Sequence, residues 1–433
     1  MSEFQSLQEV QHEVNKCMKC GNCQAVCPVY QETRQEVGEA RGKIKLVEAL
    51  LEGQIAVTEG LADRFLLCTT CGACTQICPC GVRFDKIIMG ARAEAVRHKG
   101  LGSIKKYAFT ALKHPKLFDF GLKTGARFQS LAFKRVSDKG GRARFPIGID
   151  RKKIIPALAK VPLKDQLPEI VHVAKPKLKA AFFVGCMTNY IYPDMGRALV
   201  DVLTANNVEV IIPHDQHCCG TPVYANGEVA TAIAMAKSNL DIFDRTGADA
   251  IVLDCGTCTD SWKHNYVKLL EQDTSGYKEK AERWAAKTYE ISDFLVNVIG
   301  FTPENLGPVK RRVTYHDPCH VARSLGITKE PRLLLNSIPG LELVEMNDPG
   351  RCCGMAGSFS LTFPDLSDKI LAHKVKNIAA TNVDAVATSC PACRMQLAGG
   401  VENASLQHDV VHVVQLLAAA YRAKVQPKDQ AAK

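Results

Sequence analysis

The sequence predicts a chain in two parts, an all-helical cysteine-rich unit followed by a duplicated α/β unit. Three observations carry this fold class, α plus α/β. Strand signals are nearly absent from residues 1–100, where apolar residues recur at helical spacing. Beyond residue 178, short apolar runs alternate with amphipathic stretches, the β–α–β rhythm of a parallel sheet covered by helices. This second part also repeats itself, at an offset of 133 to 135 residues. The expected divisions are 1–100, a connecting region 101–177, a first α/β copy 178–300 and a second copy 308–422.

In the first unit, Ile44, Leu46, Val47, Leu50 and Leu51 mark a helix from Glu36 to Glu52, and a second helix runs from Phe84 to Val96. The connecting region carries Pro115, Pro146, Pro156, Pro162, Pro168 and Pro176, and the Gly140–Gly141 pair. Its aromatics (Tyr107, Phe109, Phe118, Phe120, Phe128, Phe133) lie among cations (Lys105, Lys106, Lys113, Lys116, Lys123, Arg127). Two readings of this mixture stay open. It is a linker packing its rings on neighbouring units, or a surface for an anionic membrane or an acidic partner. Residues 101–180 hold 19 Lys plus Arg against 5 Asp plus Glu, so they account for all of the chain's formal charge of +10.

In the first copy, strands are expected at Ala180–Val184, Val208–Ile212 and Ala250–Leu253, with helices at Met195–Leu203 and Val229–Phe243. In the second, strands are expected at Val313–Tyr315, Leu341–Val344 and Ala385–Ala387. Cysteines follow each strand, so they are expected to converge at the carboxyl edge of the sheet, where open α/β sheets bind ligands.

The chain has 19 cysteines. Cys17, Cys20, Cys23 and Cys27 with Pro28 spell C-x2-C-x2-C-x3-C-P, and Cys68, Cys71, Cys74 and Cys78 with Pro79 spell it again. This is the run of bacterial two-cluster ferredoxins, in which the fourth cysteine serves the other cluster. One cubane [4Fe-4S] cluster is then expected on Cys17, Cys20, Cys23 and Cys78, and a second on Cys68, Cys71, Cys74 and Cys27. Structural zinc also uses C-x-x-C pairs, but the stepped trio ending in C-P suits a cubane better. Disulfides are rare in cytosolic chains, and Met1–Val14 lacks the apolar core of a signal peptide. A cytoplasmic location follows, peripheral on the inner face of the cytoplasmic membrane if region 101–177 meets lipid. No run is long and apolar enough to span a bilayer.

Ten more cysteines form two sets of five. Cys186, Cys218, Cys219, Cys255 and Cys258 make the first, and Cys319, Cys352, Cys353, Cys390 and Cys393 the second. Each reads C-x(31–32)-C-C-G-x(34–35)-C-x-x-C. Soft thiolates at this density point to iron–sulfur chemistry. Cys80 remains as a bystander beside the first cubane site. Gly220 and Gly354 follow the cysteine pairs, where either a tight turn or a close backbone approach explains them. His214, His217, His316 and His320 flank cysteines, as polar wall or as hydrogen-bonding tuners. Arg41 and Lys43 stand near the cubane runs, as helix-face cations or as partners to cluster charge. No Gly-x-Gly-x-x-Gly follows a strand and no Walker A loop is present, so neither flavin nor nucleotide is expected on this chain. No nucleic-acid partner is expected.

Two cubane runs followed by two CCG repeats resemble the family that includes the CCG-bearing subunit of heterodisulfide reductase and the iron–sulfur subunits of glycolate oxidase, D-lactate dehydrogenase and anaerobic glycerol-3-phosphate dehydrogenase. The resemblance spans about residues 10 to 420. It includes Glu39–Lys43, His316–His320, Arg351–Gly357 and Ser389–Cys393. It implies a non-cubane [4Fe-4S] cluster on each five-cysteine set. It also implies electron transfer from the flavin of an FAD-linked partner subunit to a quinone or other acceptor, in a lactate or glycolate dehydrogenase complex. The alternative is a heterodisulfide-reductase-type catalytic subunit that splits a disulfide at the CCG clusters. Glycolate oxidase subunits often lack part of the last C-x-x-C, whereas all ten cysteines stand here, which pulls toward the alternative.

Overall fold

The computed structural model describes residues 7–138, 140–145 and 150–425. Pro146 and the first six residues of the N-terminal stretch lie outside them.

Among the described residues, segment 7–99 contains helices and turns and no strand. Helices α1 (Ala40–Leu51), α2 (Glu59–Leu66) and α3 (Phe84–Lys99) meet through Ile44, Val47, Phe65, Ile87, Ile88 and Ala91. The carboxylate of Glu39 caps α1, accepting from Arg41 N at 2.8 Å and Gly42 N at 3.1 Å. Thr58 caps α2 at Leu61 N, 3.2 Å. Helix α3 ends on Arg97, His98 and Lys99, cations at the negative end of its dipole, and stops at Gly100 with φ +70°.

The connecting region is more regular than its prolines suggest. It opens with α4 (Ser103–Lys113) and α5 (Pro115–Ala132), then an antiparallel hairpin, β1 (Phe133–Ser137) and β2 (Gly140–Ala143). Pro115 occupies the first turn of α5, where its missing N–H breaks no bond. The aromatics divide. Phe109 is buried against Val223 and Tyr224, and Phe118 meets Tyr190 edge-on at 5.6 Å. Ile104, Tyr107, Leu117, Phe120, Phe128 and Leu131 face outward. Both open readings of this mixture therefore have residues in their favour.

Two parallel sheets follow. The first comprises β3 (Ile170–Val171), β4 (Leu178–Phe182), β5 (Val208–Ile211), β6 (Ala250–Leu253) and β7 (Thr288–Glu290), ordered β3-β5-β4-β6-β7 with only β3 antiparallel. The second comprises β8 (Arg311–His316), β9 (Leu341–Leu343), β10 (Ala385–Thr388) and β11 (Asp409–His412), ordered β9-β8-β10-β11. Setting β3 aside, the orders are the same, so the duplication reaches a fourth strand that the sequence pattern does not reveal. Helices α6 (Pro193–Ala205) and α7 (Val229–Asp244) cover the first sheet, and α8 (Pro364–Ala379) and α9 (Val413–Val425) cover the second. The two copies share one core, with Phe182, Leu199 and Val210 of the first joining Val313, Tyr315 and Leu417 of the second.

In each sheet the chain leaves the central strand for one neighbour, then crosses to the other side. The crevices at these reversals lie between β4 and β6 and between β8 and β10. Cys186 and Cys255 follow the first pair of strands, and Cys319 and Cys390 the second.

Candidate metal centres

The two ferredoxin-type runs use the same backbone device. In each, the residue before the second cysteine and the glycine after it are left-handed: Lys19 (φ 58°) and Gly21 (86°), then Thr70 (51°) and Gly72 (74°). The repeated reversal bends each run around a void. One void is lined by Cys17, Cys20, Cys23 and Cys78, with Cys74 and Cys80 also on its wall. The other is lined by Cys27, Cys68, Cys71 and Cys74. The fourth cysteine of each run thus faces the void of the other run. Cys80 lines the first void, beside the group it was expected to border.

All 19 cysteines are free. Burial pushes the thiols of Cys23 and Cys27 up to about 12, so gathering these sulfurs is costly unless a metal cation compensates the thiolates. Backbone N–H groups are already aimed at sulfur: Tyr30 at Cys27 Sγ (3.5 Å), Thr70 at Cys68 Sγ (3.4 Å) and Gly354 at Cys352 Sγ (3.4 Å). Crowded free thiols and backbone donors facing them suit iron–sulfur clusters.

The five-cysteine sets converge as their strand positions predict. In the first, Cys186 reaches Cys218, Cys219 neighbours both Cys218 and Cys258, and Cys258 neighbours Cys255. Hydrogen bonds from Cys218 and Cys258 hold Cys219 well below the usual thiol range. In the second, Cys353 contacts Cys352 and lies 3.6 Å from Cys393, which neighbours Cys390, while Cys319 lies near Cys352. Gly354 has φ +85°, and a Cβ there would stand 2.6 Å from Ser367 O. Gly220 has φ +81°, and an added Cβ would make only ordinary van der Waals contacts, the nearest at 3.7 Å. Close approach therefore explains Gly354, and a turn alone explains Gly220.

The sets also adjoin one another. Cys255 is within hydrogen-bond reach of Cys390, and Gly256 packs on Val321 so closely that a Cβ would meet Val321 Cγ2 at 2.3 Å. The second set adjoins the second ferredoxin-type void. Cys27, Cys71 and Cys352 share an apolar cluster with Val29 and Leu67, and Arg323 donates to Cys71 O (3.2 Å) and Gly350 O (2.8 Å). Four cysteine groups therefore stand in a row: first void, second void, second set, first set.

The flanking residues separate by location. His316 is buried and sits with Cys353 and Cys393, ligand atoms within 4.8 Å. His320 Nδ1 is 3.6 Å from Cys319 Sγ, and its Nε2 is 3.9 Å from Asp260. Burial alone depresses this imidazole, but Cys319 and Asp260 raise it to about 10. His217 pairs with Ser238 at 2.9 Å, and the carbonyl of His214 accepts from Lys164. Arg41 is a surface cation paired with Glu36, whereas Lys43 is fully buried, so only one of the two stays on the helix face. The sequence reading missed Arg92, Arg323 and Lys374, which lie beside cysteines only through tertiary contacts. Arg323 lies four positions after Cys319, a faint signal; the other two give none.

Comparison with known proteins agrees with this arrangement. Residues 13–82 match the model of a 4Fe-4S dicluster domain, and residues 180–261 and 313–398 match that of the CCG cysteine-rich domain. The probable glycolate oxidase iron-sulfur subunit of Bacillus subtilis is 30% identical over 94% of this chain and 93% of its own length. A subunit of the CoM/CoB fumarate reductase of Methanothermobacter marburgensis is 29% identical over 97% of this chain and 76% of its own. Lactate utilization protein A 2 of Bacillus cereus is 32% identical over 56% of this chain and 98% of its own. The chain belongs to the family of iron–sulfur proteins that join a 4Fe-4S dicluster domain to two cysteine-rich CCG domains.

Proposed function

We propose that this chain is the iron–sulfur electron-transfer subunit of a flavin-linked 2-hydroxyacid dehydrogenase complex, with lactate or glycolate as substrate. The carrying observation is the unbroken row of four cysteine groups. In this reading Cys17, Cys20, Cys23 and Cys78 hold one cubane cluster, and Cys27, Cys68, Cys71 and Cys74 the other. Cys186, Cys218, Cys219, Cys255 and Cys258 hold a non-cubane cluster, as do Cys319, Cys352, Cys353, Cys390 and Cys393. Bound clusters supply one-electron carriers between a two-electron donor and an acceptor such as a quinone. The chain's own residues bend the backbone around each group, donate N–H bonds to sulfur and exclude water. The glycolate and lactate names of the relatives support the substrate class. In this reading the FAD resides on a partner subunit, in keeping with a sequence that carries no flavin fingerprint.

Residues 1–100, 101–177, 178–300 and 308–422 are the units of this reading, with 101–177 as the contact region. Its outward Ile104, Tyr107, Phe120 and Phe128 stand among lysines, which suits a partner subunit or the inner face of the cytoplasmic membrane. No helix among the described residues is long and apolar enough to cross a membrane.

The test is anaerobic purification of the full chain with its co-purifying subunits. An FAD-containing partner, and bleaching of the visible absorbance by lactate or glycolate, is the expected result. A second reading rests on one observation, the meeting of two complete five-cysteine sets at Cys255 and Cys390. There a mixed disulfide would accept two electrons and two protons and leave as two thiols. Rapid disulfide turnover with reduced viologen, together with no response to either hydroxyacid, would reject the first reading in favour of the second.

A further inference from the structure

Three cations are buried deeply among the described residues, and each is satisfied chiefly by backbone carbonyls. Lys43 is fully inaccessible and donates to Val37 O at 2.9 Å. Arg92 is 4% exposed and donates to the carbonyls of Phe65 (3.0 Å), Leu66 (3.4 Å), Cys68 (2.8 Å) and Ala225 (2.8 Å). Lys374 is fully inaccessible and donates to Asp348 O (2.7 Å) and Pro349 O (3.0 Å), with Met346 Sδ at 3.7 Å. Arg323, half-buried, ties Cys71 O to Gly350 O. Among the described residues none of the four forms a carboxylate salt bridge.

A buried cation is costly without an anion to answer it. The opposing charges here are largely thiolates. They are Cys68 and Cys27, with Glu39, for Lys43, Cys68 for Arg92, Cys71 for Arg323, and Asp348 with Cys353, Cys352 and Asp317 for Lys374. All four cations thus attend the second ferredoxin-type group and the second five-cysteine set.

The other two groups have buried carboxylates, whereas Asp317, buried at the second set, is paired with Arg332 at 2.9 Å. Glu39, 1% exposed, accepts from Cys23 Sγ at 2.9 Å, and it also lines the second void beside Lys43. Asp254 is fully inaccessible, immediately precedes Cys255, and also neighbours Cys390 of the second set. The duplication makes the contrast internal. Counting back equally from Cys390 and Cys255, Lys374 of the second copy corresponds to Asn239 of the first, which donates to Cys218 O at 3.1 Å. Ser389 of the second copy corresponds to Asp254 of the first. One copy has exchanged a neutral and an acidic residue for a cation and a hydroxyl.

We propose that Lys43, Arg92, Arg323 and Lys374 make the group on Cys27, Cys68, Cys71 and Cys74 and the second five-cysteine set the high-potential pair of this chain. A positive charge beside a cluster stabilises its reduced, more negative state, and a buried carboxylate does the reverse. Electrons would then settle in the middle of the row, at adjoining sites, rather than at either end. The inference rests on the iron–sulfur reading of the chain.

The test is an EPR-monitored redox titration of the anaerobically prepared full-length holoprotein. Each signal is assigned by its loss in Cys20→Ser, Cys71→Ser, Cys219→Ser or Cys353→Ser. The signals lost in Cys71→Ser and Cys353→Ser are expected to titrate above the other two. Arg323→Gln is expected to lower the reduced-to-oxidised ratio of that pair about tenfold at fixed potential, about 59 mV for a one-electron couple. Arg323→Lys keeps the charge and should restore most of it. Glu39→Gln should raise the signal lost in Cys20→Ser most, through the contact with Cys23. A merely structural role for Arg323 would change iron content and leave the midpoints alone. Equal midpoints across the four signals, or unmoved midpoints in Arg323→Gln with iron content intact, would overturn the inference while leaving the iron–sulfur reading in place. Zinc in place of iron in the purified chain would overturn both.

Discussion

Gly220 and Gly354 are the same letter at the same place in the duplicated motif, yet they should respond very differently to a methyl group. At both positions alanine must enter the left-handed region, at about 1–2 kcal/mol. For Gly220 that is nearly the whole cost, because the nearest atoms to an added Cβ are 3.7 Å away. For Gly354 the Cβ would stand 2.6 Å from Ser367 O, and the obstacle is helical backbone, which cannot rotate aside. Overpacking adds about 1–3 kcal/mol, so Gly354→Ala should cost about 2–5 kcal/mol in all. The displaced segment also holds Gly354 N against Cys352 Sγ, and its carbonyl accepts from Ser367 Oγ at 2.9 Å. The assay is guanidinium denaturation of the anaerobic holoprotein, followed by cluster absorbance, with iron counted before denaturation. Gly354→Ala should lower the midpoint well beyond Gly220→Ala and lose iron from the second set. Equal midpoints for the two variants, or a greater loss in Gly220→Ala, would refute the packing argument.

Three further outcomes are expected. Cys219→Ser and Cys353→Ser should each lower the iron content by one cluster and leave the cubane signals; unchanged iron in both would reject the five-cysteine sets as ligands. Trp262, fully buried against Phe183, Phe243 and Tyr266, should cost about 3–5 kcal/mol on replacement by alanine, read from denaturation midpoints. Glu290, whose carboxyl is raised by burial to about 8, keeps its proton in the folded chain after the unfolded chain has released its own near 4.5. Stability should therefore fall from about pH 4.5 to pH 8, at up to about 1.4 kcal/mol per pH unit, and Glu290→Gln should flatten that slope in midpoints measured across the range.

Much of the architecture was legible in the sequence because its signals are local. The strands at 208–211 and 250–253 lie within the expected runs, since a buried parallel strand is a short apolar run and little else. The strands at 288–290 and 409–412 escaped notice because three or four residues, one of them Glu290, carry no pattern. The helices at 103–113 and 115–132 were hidden by prolines that fall outside them or at a first turn.

The spacing of the cysteines, by itself, determined the kind of chemistry and which sulfurs stand together, because a metal-binding turn is built from a few neighbouring dihedral angles. Tertiary structure alone decided the order of the four groups, the meeting of Cys255 with Cys390, and the burial of Lys43 and Lys374. Those features depend on what packs against each turn from hundreds of residues away. The electrostatic cost of a buried charge is set by such neighbours, and no local pattern encodes them.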